Sequence, residues 1–296
     1  MDVGGSLLAV GLLLGHAGLM AGLAPVLLTR GRWRFRRPGL ALGLWHVALH
    51  SGLAAAAASL AVAMALAAVL VEQQAPPPPG SLSPVQGMVL AWVAITVAGV
   101  AAVVVSTQSH RIACEEARTR RLLGALVAER GIHRTVADSM VITVVESERA
   151  LACALPGRLP GGSGARHRVV VSSGLARALT PAELRAVMQH ELAHLRLHHP
   201  VLVRLARLNA ACLPLLPGAR ELHRVTGLLV ELIADDAAAR RCGSAPLARA
   251  LTTIGTREGD ESMLLRAERL RRSPVPPPRP RRPLLWSPQR ATAAGR

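Results

Sequence analysis

The sequence predicts an α-helical membrane protein carrying an α+β domain on the cytoplasmic side. Three observations lead there. Long apolar runs fill most of residues 1–106, arginines crowd into alternate connections between those runs, and past residue 140 short β-type stretches give way to an amphipathic helix with a well-marked start. The expected division is three transmembrane helices over 1–106, a cytoplasmic domain over 107–270, and an Arg/Pro-rich disordered tail over 271–296.

The apolar runs come first. Gly4 to Leu28 carries His16 as its one ionisable side chain, Leu40 to Val71 exceeds what a span needs, and Met88 to Val105 approaches the minimum. A bilayer core takes roughly 20 apolar helical residues, so each run qualifies. The first lacks a basic stretch ahead of it and reads as a retained helix rather than a cleaved leader. Arg30, Arg32, Arg34, Arg36 and Arg37 lie between the first two runs, whereas 72–84 holds no basic residue and Arg111, Arg118, Arg120 and Arg121 follow the third. Positive charge stays inside, so residues from 106 onward are expected in the cytoplasm of a multi-pass cell-membrane protein. His46 and His50, beside Trp45, read as interfacial packing.

This placement also accounts for much of the net charge of +17, carried by 35 basic residues (all arginine) against 18 acidic ones. A nucleic-acid partner is not expected, because one Phe and no Tyr leave almost nothing to stack on bases. Cys114, Cys153, Cys212 and Cys242 form no CxxC pair, which argues against a thiolate metal site.

In the domain, Arg111 to Arg130 continues the third span as an Arg/Glu-rich helix. "MVITVVES" (140–147), "ALACAL" (150–155) and "RHRVVVSS" (166–173) read as strands of a small sheet. "LTPAELRAVMQHELAHLRLHH" then opens with an N-cap at Thr180, proline at the first helical position and Glu183 completing a capping box. Pro200 marks an end or a kink. The apolar stretch 201–218, with Arg204 and Arg207, is expected as an interfacial helix in preference to a re-entrant hairpin. A further helix covers 231–241 up to Gly243, and Ser244 caps another through Ile254.

Within the capped helix lies His190-Glu191-Leu192-Ala193-His194. Positions i and i+4 share one helix face, so both imidazoles reach one metal ion, and Glu191 projects toward the open coordination position as a general base. A third ligand is needed. His198 lies too far along the same axis, and Pro200 occupies the place where a glycine turn would lead to another histidine. Glu231 in "ELIADD" sits on a separate helix that is able to fold back, and one turn further Asp235 is placed to accept from a ligand imidazole. His198 and His199 read as interfacial or structural.

HExxH (190–194), ExxAD (231–235) and "SSGLARALTPAELRAV" (172–187) together resemble the membrane-embedded gluzincins, above all the BlaR/MecR antirepressor peptidases, with the HtpX and CAAX-protease group as relatives. The resemblance implies a zincin-like (minigluzincin) α+β domain holding one Zn2+ through His190, His194 and Glu231. It further implies Glu191 as general base, Asp235 behind the ligands, and a protein or peptide substrate. Two departures stand out. No β-lactam-binding domain follows residue 270, and "ACALPG" (152–157) replaces the Asn-containing segment of the CAAX and HtpX relatives. Without tyrosine, the oxyanion donor is sought among His223, Arg240 and His167. The alternative function is a non-catalytic membrane signalling component with a structural or degenerate metal site. The sequence leaves oligomeric state open.

Overall fold

A computed structural model describes residues 3–29, 31, 33–72, 83–137, 140–155 and 167–276. The proline connection at 73–82, the glycine-rich turn at 156–166 and positions 277–296 of the expected tail lie outside the described residues. The chain divides into two compact units, one formed by 1–113 with 203–229 and the other by 114–202 with 230–296.

In the first unit, α1 (Val3–Thr29), α3 (Pro38–Glu72) and α4 (Pro84–Arg130) are long and apolar enough to cross a membrane, and a four-residue α2 (Trp33–Arg36) links α1 to α3. α4 runs without a break from the third apolar run through Arg130, so the predicted Arg/Glu-rich helix is its extension. The buried residues of α3, among them Ala41, Trp45, Ala48, Gly52, Ala55 and Ser59, recur at intervals of three and four and form one stripe. Small side chains in that stripe let helices approach closely. A Cβ on Gly52 would meet the Met20 Cβ of α1 at 3.0 Å, and one on Gly87 of α4 would meet the Leu70 Cβ of α3 at 2.6 Å. His46 is buried in α3, with its carbonyl 2.7 Å from Nδ1 of His50.

The stretch 201–218, expected as one interfacial helix in preference to a re-entrant hairpin, is parts of two helices joined by a turn. α7 (His199–Cys212) ends in a turn at 213–216, and α8 (Pro217–Cys242) starts at once. Gly218 touches α1 so closely that a Cβ there would lie 2.5 Å from the Pro25 Cγ and 2.7 Å from the Ala21 carbonyl oxygen. The Arg220 Nε donates to the Pro214 carbonyl at 2.9 Å and closes the turn.

The second unit is built on a four-stranded sheet of order β1-β2-β4-β3, with β1 (Gly131–Ala137), β2 (Met140–Val145), β3 (Ala152–Leu155) and β4 (His167–Ser172). β2 and β4 are parallel and the outer pairs antiparallel, which leaves β3 as an edge. β2, β3 and β4 fall within the short β-type runs that predicted them, while β1 is an additional strand. Ile142, Val169 and Val171 face Leu184, Val187, Met188 and Leu192 of α6 (Pro181–Arg196) and Leu175 of α5 (Ser173–Ala178) in one buried cluster. A second cluster joins Ala186 of α6 to Ala238 and Ala239 of α8, Leu247 and Leu251 of α9 (Ser244–Glu258), and Ala267 and Leu270 of α10 (Glu261–Arg272). α2, α5 and α10 are likewise unforeseen elements, and the last two residues of α10 belong to the stretch expected as tail.

Candidate metal centre

Local chemistry sets the start of α6. Thr180 accepts from the Glu183 N–H at 3.4 Å while the Glu183 carboxylate accepts from the Thr180 N–H at 2.9 Å, so the capping box forms as the sequence predicts. Arg249 of α9 donates to the other Glu183 oxygen at 2.9 Å and ties the helix start to its neighbour. Leu184, Val187, Met188 and Leu192 bury one face of α6, which leaves His190, Glu191 and His194 to meet α8 and β3.

The two imidazoles turn the same nitrogen inward. His190 Nε2 and His194 Nε2 are 3.1 Å apart, and Glu231 brings one oxygen to 3.3 Å from the first and the other to 3.5 Å from the second. His190, His194 and Glu231 are the one group of metal-binding type among the described residues, with all three ligand atoms within 4.8 Å of one another. A tetrahedral ion with bonds of ~2.0–2.1 Å holds its ligand atoms roughly 3.3–3.4 Å apart. The observed separations straddle that value, and two neutral imidazoles with one carboxylate are a zinc-type donor set. The residues fit the ion.

The surroundings prepare each donor. Asp235, fully buried one turn beyond Glu231, has Oδ1 at 3.0 Å from His190 Nδ1. That is a close charge contact, although Nδ1 is out of line for a well-aligned hydrogen bond. Burial pulls the His190 pKa down, but Asp235 and Glu231 outweigh it and the ring is pushed up to about 9. Burial and the neighbouring His190 instead push His194 down to about 4. Burial alone would raise Glu231, yet His190, Arg266 and His194 together bring it down to about 2, so this carboxylate is ionised at neutral pH. Glu191 shifts the other way, raised by burial. Its Oε2 receives the Ala154 N–H of β3 at 3.2 Å, which ties Glu191 to the edge strand. Cys153 in the same strand is pushed up to about 11, mainly by burial and then by Glu191, so the free thiol stays protonated at neutral pH.

Two residues packed against the cluster were not assigned to it from the sequence, although His199 reads there as interfacial or structural. His199, 2% exposed at the start of α7, sets its Nδ1 3.0 Å from Nδ1 of His194, with the rings edge to face. It braces His194 from behind. The exposed His198 makes this possible by taking a left-handed conformation, φ 55°, which turns the chain from α6 into α7. Histidine is among the residues that adopt that region more readily. The second residue is Arg266 of α10. Its Nε and Nη2 bind both Asp235 oxygens at 2.8 and 2.7 Å, and its Nη1 lies 2.8 Å from Glu231 Oε2. The Asp260 N-cap followed by Met263, Ala267 and Leu270 at helical spacing was the signal for α10.

Arg266 also changes the search for an oxyanion donor. Its Nη2 lies 3.5 Å from His190 Nε2, so a guanidinium already borders the metal position. Arg240 instead lines a separate hollow with Gln189, Arg196 and Arg241. His223 belongs to the first unit, and the side chain of His167 lies outside the described residues.

Comparison of the whole chain with curated proteins and with solved structures gives no match. Residues 114–253 match the model of Peptidase family M48, a stretch that contains the His190, His194 and Glu231 cluster and supports a metallopeptidase domain.

Proposed function

We propose that the chain is a membrane-bound zinc endopeptidase. The observation that carries this reading is the convergence of His190 Nε2, His194 Nε2 and the Glu231 carboxylate, with the buried Glu191 carboxylate alongside on the same helix. A zinc ion held there would polarise a scissile carbonyl and acidify water. Glu191 would take the water's proton on its carboxylate and pass it to the leaving amine, and burial, which raises its proton affinity, suits both transfers. Asp235 and His199 fix the two imidazoles from behind. Arg266 carries a positive charge beside the site where negative charge develops on the carbonyl oxygen.

The edge strand supplies a place for substrate. Because β3 bonds β4 antiparallel and the Ala154 N–H points to Glu191, alternation turns the backbone groups of Ala152 and Ala154 away from β4. An extended peptide laid along β3 would take up those groups and bring its own backbone to Glu191. Three helices of membrane-crossing length, with arginine-rich connections at 30–37 and after the third, support a multi-pass protein with the peptidase domain in the cytoplasm. With three spans ahead of the domain, the likeness to BlaR/MecR antirepressor peptidases points to a cytoplasmic regulator or a membrane protein as substrate.

The test is Glu191→Gln in the full-length chain. It should keep its zinc and lose cleavage, and proteins that accumulate in cells making this form but not the wild type are the substrate candidates. Undiminished turnover by the variant would refute the assignment.

A further inference from the structure

Trp45 and Arg34 are among the described residues of the first unit that bury hydrogen-bond donors with no partner, alongside His46 and Thr226. Trp45 on α3 is 3% exposed, and its indole Nε1 has no partner. Arg34 on α2 is partly buried, and its Nε and Nη1 are both enclosed without a hydrogen-bond partner. The guanidinium carbon lies 5.0 Å from the centre of the Phe35 ring. An unmet buried donor costs on the order of 1–3 kcal/mol, and more when it is charged. Such groups call for an explanation, and an unseen ligand is one.

Trp45 borders a cavity of about 260 Å³ enclosed by α1, α3 and the corner between α7 and α8. Met20 and Pro25 of α1, Leu53 of α3, and Leu213 and Leu222 form much of its wall. No charged side chain lines it, and Asn209 is its one amide. Arg34 stands within electrostatic reach of the same corner. The Glu221 carboxyl is held below its ordinary value chiefly by Arg224, but also by the charge of Arg34, and Glu221 adjoins the lining residue Leu222.

The order of these groups is the order of groups in a phospholipid. A guanidinium sits in the connection between two spans, an indole N–H follows seven residues beyond the start of α3 at Pro38, ~10 Å along the helix axis, and an apolar hollow lies beside it. We infer that the first unit holds one phospholipid of the leaflet that borders the α1–α3 connection. Its phosphate oxygens accept from Arg34, an ester carbonyl accepts from Trp45 Nε1, and an acyl chain enters the cavity. A water-soluble ligand would have to reach the hollow through the acyl region, since α1 and α3 are helices of membrane-crossing character. The inference rests on reading those helices as spans.

Native mass spectrometry of the full-length chain tests it, in detergent micelles doped with dioleoylphosphatidylglycerol or with phosphate-free dioleoylglycerol. The wild type should retain one phosphatidylglycerol and at least tenfold less diacylglycerol. Arg34→Gln should cut phospholipid retention tenfold or more. Trp45→Phe, which keeps the ring and removes the N–H, should cut it about threefold, as loss of one neutral hydrogen bond implies. Equal phospholipid retention by the wild type and both variants would overturn the inference, and so would equal retention of the two lipids by the wild type. Alkaline carbonate extraction tests the spans separately. A chain released from membranes loses both readings, whereas one that stays embedded but holds lipid regardless of Arg34 and Trp45 loses only the site.

Discussion

Replacing His199 by leucine removes a hydrogen bond to a metal ligand while keeping much of the buried volume. His199 is 2% exposed and its Nδ1 lies 3.0 Å from Nδ1 of His194, whose Nε2 faces the metal position. When His194 binds through Nε2, its Nδ1 must carry the hydrogen, and His199 Nδ1 is the acceptor. In His199→Leu that N–H is buried and unmet, at a cost of about 1–3 kcal/mol. At ~1.4 kcal/mol per factor of ten, zinc affinity should fall roughly 5- to 150-fold, overlapping the 10- to 100-fold typical of groups behind metal ligands. The assay is competition with a chromophoric chelator, read on full-length protein whose thermal unfolding without metal confirms that it is folded. His199→Asn restores an acceptor and should recover most of the loss. Zinc affinity within twofold of wild type in His199→Leu would refute the reasoning. An equal loss in both variants would show that ring packing, not the hydrogen bond, is what His199 supplies.

Two further outcomes follow from the charges around the site. His190 is pushed up to about 9 because Asp235 and Glu231 outweigh its burial, so without metal it is protonated at pH 7.5. A ligand imidazole must be neutral, so zinc uptake should release about one proton there, and affinity should climb about tenfold per pH unit until it flattens above ~9. Titration calorimetry in buffers of different ionisation enthalpy measures the proton directly, and uptake with none released would contradict the charge assignment. Arg266→Met would strand the fully buried Asp235, which Arg266 holds through two hydrogen bonds. Removing one partner of a buried pair costs roughly 3–5 kcal/mol. A large fall in the unfolding temperature of the metal-free protein is expected, and a change equivalent to less than ~1 kcal/mol would mean that the pair does not anchor α10.

The parts of the site that depend on local spacing were legible in the sequence. His194 follows His190 by four positions, Asp235 follows Glu231 by four, and Thr180 with Glu183 marks a helix start through its own backbone bonds. What escaped depends on contacts distant in sequence or on backbone geometry with no strong residue signature. Arg266 lies in a stretch of the domain to which the sequence reading assigned no element, and its pairing with Asp235, 31 positions earlier, appears only when α10 packs on α8 and α9. His199 looked like one more residue of a histidine-rich helix until a left-handed His198 turned it beneath His194. β1 follows directly on α4 at Gly131 and carries few apolar residues, so its ladder with β2 defines it more than its own composition does. For 201–218 the sequence left an interfacial helix and a re-entrant hairpin as alternatives, because hydropathy reports that a segment is apolar, not whether it turns back, and the close approach of Gly218 to Ala21 and Pro25 is a contact distant in sequence.

Zinc content of the purified full-length protein, measured for the wild type, His194→Ala and Glu231→Ala, tests the central claim most directly. One zinc per chain in the wild type and little or none in either variant is the predicted result. No stoichiometric zinc in the wild type, or full zinc in Glu231→Ala, would contradict a metal held between α6 and α8 by these three side chains.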